Sequence, residues 1–136
     1  MHEWALAEGV IRTALEAGRE AGLSSIARIS VKIGELQRIE RDVFQAALER
    51  VLPRSEPRLA GTRIELGIEP ARFRCRPCGA EFALAEIGGP VGPAELESIH
   101  FVPELAHAFM SCPQCQSPDF EVLEGRGVWI ESVEGA

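Results

Sequence analysis

The chain has four cysteines, in two pairs of identical spacing: Cys75-Arg76-Pro77-Cys78 and Cys112-Pro113-Gln114-Cys115. A Cys-x-x-Cys turn directs two sulfurs at one point, and two such turns facing each other supply a tetrahedron of thiolates. That geometry favours zinc or, less often, iron. It constrains the fold before any secondary structure is read, because residues 79–111, 33 in all, must leave the first turn and come back to the second. The spacer is longer than a zinc ribbon usually has, yet loop-closure entropy rises only logarithmically with length, so a metal cross-link tolerates it. Other cysteine chemistries fit less well. A redox Cys-x-x-Cys comes as one pair opening a helix. A disulfide within each pair would be strained, and nothing in the sequence suggests secretion. The expectation is a structural zinc held by Cys75, Cys78, Cys112 and Cys115, which by itself speaks to stability and not to function.

At 136 residues, with 46% hydrophobic and 26% charged content, the chain suits one soluble domain, or one domain carrying a small second module. No apolar run is long enough to span a bilayer. The opening Met1-His2-Glu3-Trp4 lacks the basic start and apolar core of a signal peptide, so the expected compartment is the reducing cytosol. Charge bears on a further class, since zinc ribbons often bind nucleic acid through basic surfaces. Residues 71–123 carry three arginines against seven carboxylates, a balance of 3 − 7 = −4, and the whole chain is at −7. Phosphate would be repelled, and aromatic residues are too few for a stacking platform.

Hydrophobic periodicity outlines the remainder. Trp4, Ala7, Val10, Ile11, Ala14, Leu15 and Ala21 recur at helical spacing and predict a core-facing helix over 3–21, stopped by Gly22. Ile29, Val31 and Ile33 alternate with Arg28, Ser30 and Lys32, which predicts a strand over 26–33 covered on one face. A second helix is expected from about Glu40 to Leu52, burying Val43, Phe44, Ala47, Leu48 and Val51, with Pro53 as its stop. Residues 53–61 read as a loop. A strand over 62–69 follows with Ile64, Leu66 and Ile68 inward, and a last strand over 128–133 in which Trp129, Glu131 and Val133 alternate against Val128, Ile130 and Ser132.

Three strands and two helices make a small two-layer α+β unit. Its third strand arrives only after the cysteines, so the expected organisation is a discontinuous domain of 1–70 plus 124–136, with a zinc-ribbon-like module inserted at 71–123. Within the insertion, residues 80–86 read as a short strand and 87–93 as a loop, while 93–99 and 103–110 read as short helices started by proline. Residues 119–123 read as a strand leading out.

The histidines are His2, His100 and His107. The ordinary reading of His2 is a solvated residue near a chain end. The chemical one is sharper. A free α-amine, the amide nitrogen of residue 2 and the His2 imidazole can close two fused chelate rings around one metal. Such nitrogens impose a strong planar field that fits Ni²⁺ and Cu²⁺, whereas zinc, without a d-electron preference, gains little. His100 falls between the two short helices, as a half-buried loop residue or as a fourth planar ligand if the insertion folds over the amino terminus. For His107 a plain helix-face role next to Phe109 is preferred.

Taken together, Met1-His2-Glu3 opening an amphipathic helix, Gly34-Glu35-Leu36 after the first strand, the helix through Val43–Leu48, the paired cysteine turns and the closing 127–131 strand resemble the HypA/HybF family of nickel-delivery proteins for hydrogenase maturation. The resemblance covers essentially the whole chain. It implies a metallochaperone without catalytic activity, with His2 as nickel ligand, Met1 and Glu3 beside it, and a structural zinc on Cys75, Cys78, Cys112 and Cys115. Implied partners are the GTPase HypB and the large subunit of a [NiFe] hydrogenase; in some organisms related proteins also serve urease. No nucleic acid or membrane is implied, and the assembly is a monomer or homodimer. Two departures stand out. The cysteine spacer is the long form, which puts His100 in the insertion as a candidate to complete the nickel plane. Gln37-Arg38-Ile39-Glu40 replaces a small-residue turn, leaving Glu40 a weak secondary candidate. The rival reading is a zinc-stabilised interaction module with no nickel role. A zinc hydrolase would need an open coordination position and a base, and four cysteines close the zinc shell.

Overall fold

The computed structural model describes residues 3–51, 56–88 and 91–136. They divide between two compact units: those within Met1–Ile33, Ile39–Gly67 and Val128–Ala136, and those within Gly34–Arg38 and Ile68–Gly127.

The first unit contains helix α1 (Glu3–Glu20), strand β1 (Ile26–Gly34), helix α2 (Arg41–Val51), strand β2 (Arg63–Glu69) and, after the second unit, strand β6 (Val128–Gly135). The two-layer expectation holds: β1 lies between β2 and β6 in a three-stranded sheet, and α1 packs on both α2 and β6. Gly22, at φ +73, ends α1 as expected, with the Leu23 amide bonded to the Gly18 carbonyl. Ala7, Val10, Ile11 and Ala14 of α1 meet Phe44, Ala47 and Leu48 of α2 over Ile26, Ile29, Val31 and Ile33 of the sheet. The opposite face of β1 is polar. There Arg28 faces Glu134 at 2.8 Å and Glu65 at 3.5 Å, and Lys32 faces Glu131 at 3.8 Å.

Four of the expected core residues are exposed instead: Trp4 (52%), Val43 (44%) and Ile68 (43%), with Ala21 just beyond the end of α1. Trp4 and Val43 lie in the first turns of α1 and α2, and Ile68 lies next to the last residue of β2. A helical stripe of 100° or more is wider than the face one neighbour covers, so periodicity names the face but not its edges. The closing strand departs too. Its antiparallel pairing with β1 carries two register shifts, so Val133, Ile130 and Val128 oppose Ile29, Val31 and Ile33. Val133 therefore joins Ile130 and Val128 against the core, while Trp129 stays 41% exposed. An extra residue on one strand reverses the alternation beyond it.

The second unit is built on the sheet of β3 (Arg72–Cys75), β4 (Glu81–Ala83) and β5 (Phe120–Glu124), with β3 central and both pairings antiparallel. Its core is aromatic. Phe73 stacks on Phe82 at 5.3 Å between centroids, and Phe120 meets both edge-on at 5.5 and 5.9 Å. Helix α3 (Pro93–Phe101) starts as proline at the first position allows, and Glu95 accepts the Gly92 amide at 2.9 Å. It runs two residues beyond the expected end and includes His100, which was expected in a loop. The last expected helix is a 3₁₀ turn, Pro103–Leu105, followed by the one-turn α4 (Ala106–Phe109).

Gly34–Arg38 belongs to this unit, and three segments meet there. The Gly34 amide donates to the Gly127 carbonyl (2.8 Å) and the Leu36 amide to the Gly125 carbonyl (2.9 Å). Side chains complete the clasp: Glu35 accepts the Ala71 amide, Glu69 the Gly125 amide and Gln37 the Gly127 amide, at 2.8–3.0 Å. A methyl on Gly34 would lie 2.2 Å from the Gly125 oxygen, so the closeness of two backbones requires glycine there.

Candidate metal centre

Each cysteine pair sits on a hairpin-like knuckle, and the two knuckles repeat one hydrogen-bond pattern. In the first, the Gly79 amide donates to the Cys75 carbonyl and the Cys75 amide to the Ala80 carbonyl. In the second, Gln116 donates to Cys112 and Cys112 to Ser117, all within 2.8–2.9 Å. The residue after the second cysteine must turn left-handed in both, and Gly79 (φ +74) and Gln116 (φ +61) do so. Glycine does this freely; Gln116 does it at a steric cost of about 1 kcal/mol.

Folding brings the four sulfurs together. Cys75 Sγ lies 3.4 Å from Cys115 Sγ, Cys78 Sγ lies 3.7 Å from Cys112 Sγ, and all four fall within 4.8 Å of one another. A tetrahedron with zinc–sulfur bonds near 2.3 Å has edges of about 3.8 Å, so the cluster fits a zinc-sized ion. Cys75 and Cys112 are buried, while Cys78 and Cys115 are at the surface. Without a cation the sulfurs perturb one another. The Cys78 amide favours the Cys75 thiolate, but burial and the neighbouring thiols outweigh it and push Cys75 up to about 12. The Cys115 amide, followed by that of Gln114, draws Cys112 down to about 7 against its burial. Four thiolates held this close need a cation, and a dication stabilises all of them at once. Among the described residues this is the one group of His, Cys, Asp and Glu side chains that closes on a metal-sized space.

The other sequence candidates stand apart from it. Met1 and His2 lie outside the described residues. Glu3 opens α1 in the first unit, and Glu40 is an exposed residue before α2. His100, in the last turn of α3, is half-buried, with its Nδ1 buried and without a hydrogen-bond partner among the described residues. His107 has the plain role expected, with a different neighbour: its Nδ1 lies 2.8 Å from the Pro118 carbonyl and its ring 4.7 Å from Phe120.

Sequence reasoning passed over Arg76, which follows the first cysteine. Its guanidinium bonds Asp119 at 2.8 Å and the Phe120 carbonyl at 3.3 Å, tying the first knuckle to the strand after the second. It passed over Arg126 as well, whose signal was its place between two glycines. Both arginines, with His100 and His107, line a cavity of about 400 Å³ in the second unit.

A family model described as "HypA: Hydrogenase/urease nickel incorporation, metallochaperone, hypA" matches residues 1–135. The hydrogenase maturation factor HypA of Thermococcus onnurineus (strain NA1) is 42% identical over 134 residues, covering 98% of this chain and 95% of that protein. That of Pyrococcus abyssi (strain GE5 / Orsay) is 43% identical over 134 residues, with the same coverage. The solution structure of the Ni metallochaperone HypA from Helicobacter pylori superposes with a TM-score of 0.63 at 18% identity, covering 99% of this chain and 97% of that one, a likeness of fold.

Proposed function

The chain belongs to the HypA family of hydrogenase/urease nickel-incorporation metallochaperones, and from that premise we propose that it carries Ni²⁺ at its amino terminus and hands it to a [NiFe] hydrogenase precursor. The observation that carries this reading is the extent of the family match, which runs through both the Met1-His2-Glu3 opening and all four cysteines. In this reading the Met1 amine, the His2 amide nitrogen and the His2 imidazole supply a planar set, Glu3 stands beside it, and His100 completes the plane. Planar nitrogen ligation selects nickel over zinc, iron and manganese. Binding requires deprotonated amine and amide and neutral imidazole, so acid weakens it and favours release.

Cys75, Cys78, Cys112 and Cys115 would hold zinc, and the sulfur spacing supports that assignment. The ion supplies a cross-link and no reaction, since its four ligands are all protein thiolates. In this reading, which rests on the family and not on the zinc, the protein is a carrier and not an enzyme. The partners in this reading are the GTPase HypB and the hydrogenase large subunit, in the cytosol. No described helix is long and apolar enough to cross a membrane.

The test is a Ni²⁺ titration of the zinc-loaded protein with an unmodified amino terminus, beside His2→Ala, His100→Ala and a form with one residue added before Met1. A weak visible d–d band of planar nickel is expected in the parent and lost in His2→Ala and in the extended form. Equal binding by all forms would put the site elsewhere, and no binding by any would leave the zinc-stabilised interaction module. An unchanged affinity and spectrum in His100→Ala would remove His100 from the plane.

A further inference from the structure

Helices α1 and α2 leave an apolar groove on the first unit. It holds about 360 Å³ and is lined by Trp4 of α1 and by Asp42, Val43, Ala46, Ala47 and Arg50 of α2. Trp4 and Val43, two of the large hydrophobic side chains that this unit leaves exposed, stand on its walls. Asp42, Ala46 and Arg50 are spaced four apart, so they form one ridge along α2 with the small residue at its centre. The polar groups beside the ridge are engaged: Arg41 donates to the Leu66 carbonyl, and Gln45 to Glu49 at 3.1 Å. Asp42 and Arg50 themselves are exposed and have no hydrogen-bond or ion-pair partner among the described residues.

The order of charges along this ridge fits a second copy of the same chain. Asp42 and Arg50 lie about 12 Å apart along the helix axis, with Ala46 midway between them. A second α2 turned antiparallel about Ala46 would bring an identical ridge into register. Arg50 of the copy would then oppose Asp42 at one end, and its Asp42 would oppose Arg50 at the other. A parallel arrangement would instead set like charges against each other. Alanine at the crossing lets two helix axes come within about 8 Å, and the pairing would cover Trp4 and Val43 of both copies. The six lining residues carry one charge of each sign, so the contact is neutral although the whole chain is at −7. We propose that two copies of this chain associate through this groove, their α2 helices antiparallel about Ala46 and Asp42 of each paired with Arg50 of the other. The surface is self-complementary, and the inference is independent of the nickel reading.

The experiment is sedimentation velocity on the zinc-loaded, nickel-free full chain from roughly 5 to 500 μM. The parent is compared with Asp42→Arg, Arg50→Asp, the double variant carrying both changes, and Ala46→Glu. All three positions are exposed, so each variant should keep the folded monomer, which far-UV circular dichroism checks. The parent is expected to pass from monomer to dimer within this range. Either single reversal places like charges at both ends of the contact and should weaken dimerisation at least about tenfold. The double variant restores opposite charges and should return to within about threefold of the parent. Ala46→Glu sets two carboxylates face to face at the crossing and should leave only monomer. A parent that stays monomeric throughout would overturn the proposal and leave the groove to a different protein. A dimer that tolerates the single reversals or Ala46→Glu would put the contact elsewhere. Single variants that weaken the dimer without rescue in the double variant would overturn the antiparallel pairing.

Discussion

Replacing Gly34 by alanine tests how closely the second unit is clasped. Gly34 has φ −63 and ψ 138, an extended conformation open to any residue, so the cost is steric. The added methyl would lie 2.2 Å from the Gly125 oxygen and 2.6 Å from the Arg126 nitrogen, both backbone atoms. A carbon–oxygen contact relaxes only near roughly 3.3 Å, so the two backbones must part by about 1 Å. That movement breaks or stretches Gly34 N–H to Gly127 O and Leu36 N–H to Gly125 O, at roughly 1 kcal/mol each. Overpacking adds roughly 1–3 kcal/mol, and the stiffer unfolded chain returns about 0.5 kcal/mol. The sum is a destabilisation of about 3 kcal/mol. With a urea slope of roughly 2 kcal/mol/M, the midpoint of the zinc-loaded protein should fall by about 1.5 M when followed by far-UV circular dichroism. Gly9 is the control, because a methyl there meets nothing within 4 Å on helix α1. Gly9→Ala should raise stability by about 0.5–1 kcal/mol. A Gly34→Ala midpoint within about 0.3 M of the parent would refute the reasoning from backbone closeness.

Other consequences follow from the knuckles. Gln116→Gly should stabilise the zinc-loaded protein by about 0.5–1 kcal/mol by relieving its left-handed backbone; thermal melting checks this, and a lower melting temperature would speak against it. Cys112→Ser should abolish stoichiometric zinc retention and expose the Phe73–Phe82–Phe120 core, which limited proteolysis reads as new cleavage within 68–127. Zinc binding should release protons at neutral pH, because Cys75 (pushed up to about 12) and Cys78 (also raised) carry theirs when metal-free. Their protonated forms persist as pH falls, so zinc affinity should drop with acid. A pH-indicator dye during zinc titration measures this, and zinc uptake without proton release would contradict it.

The features legible in the sequence were those set by neighbours along the chain. Identical Cys-x-x-Cys turns announced two knuckles because a turn of that length points both sulfurs one way whatever surrounds it. The period of Ala7, Val10, Ile11 and Ala14 announced a helix because 3.6 residues per turn is a property of the backbone, and Gly22 and Pro93 marked ends for equally local reasons. Even the joint pattern that revealed the family was a pattern in order and spacing.

What the tertiary structure alone decided depends on groups remote in sequence. Trp4, Val43 and Ile68 fit an apolar period and are exposed, because burial is settled by what packs across the face. Val133 turned inward through a register shift that no alternation of its own could announce. No local pattern announced the partners of Glu35, Gln37 and Glu69, which accept from the amides of Ala71, Gly127 and Gly125, as many as 90 positions away. The same holds for Gly34, whose need for glycine arises from a second backbone 91 residues on (125 − 34) and not from its own dihedral angles. Local chemistry fixes conformation and metal-ligand spacing; the clasp and the exposed hydrophobics exist only once distant segments are brought together.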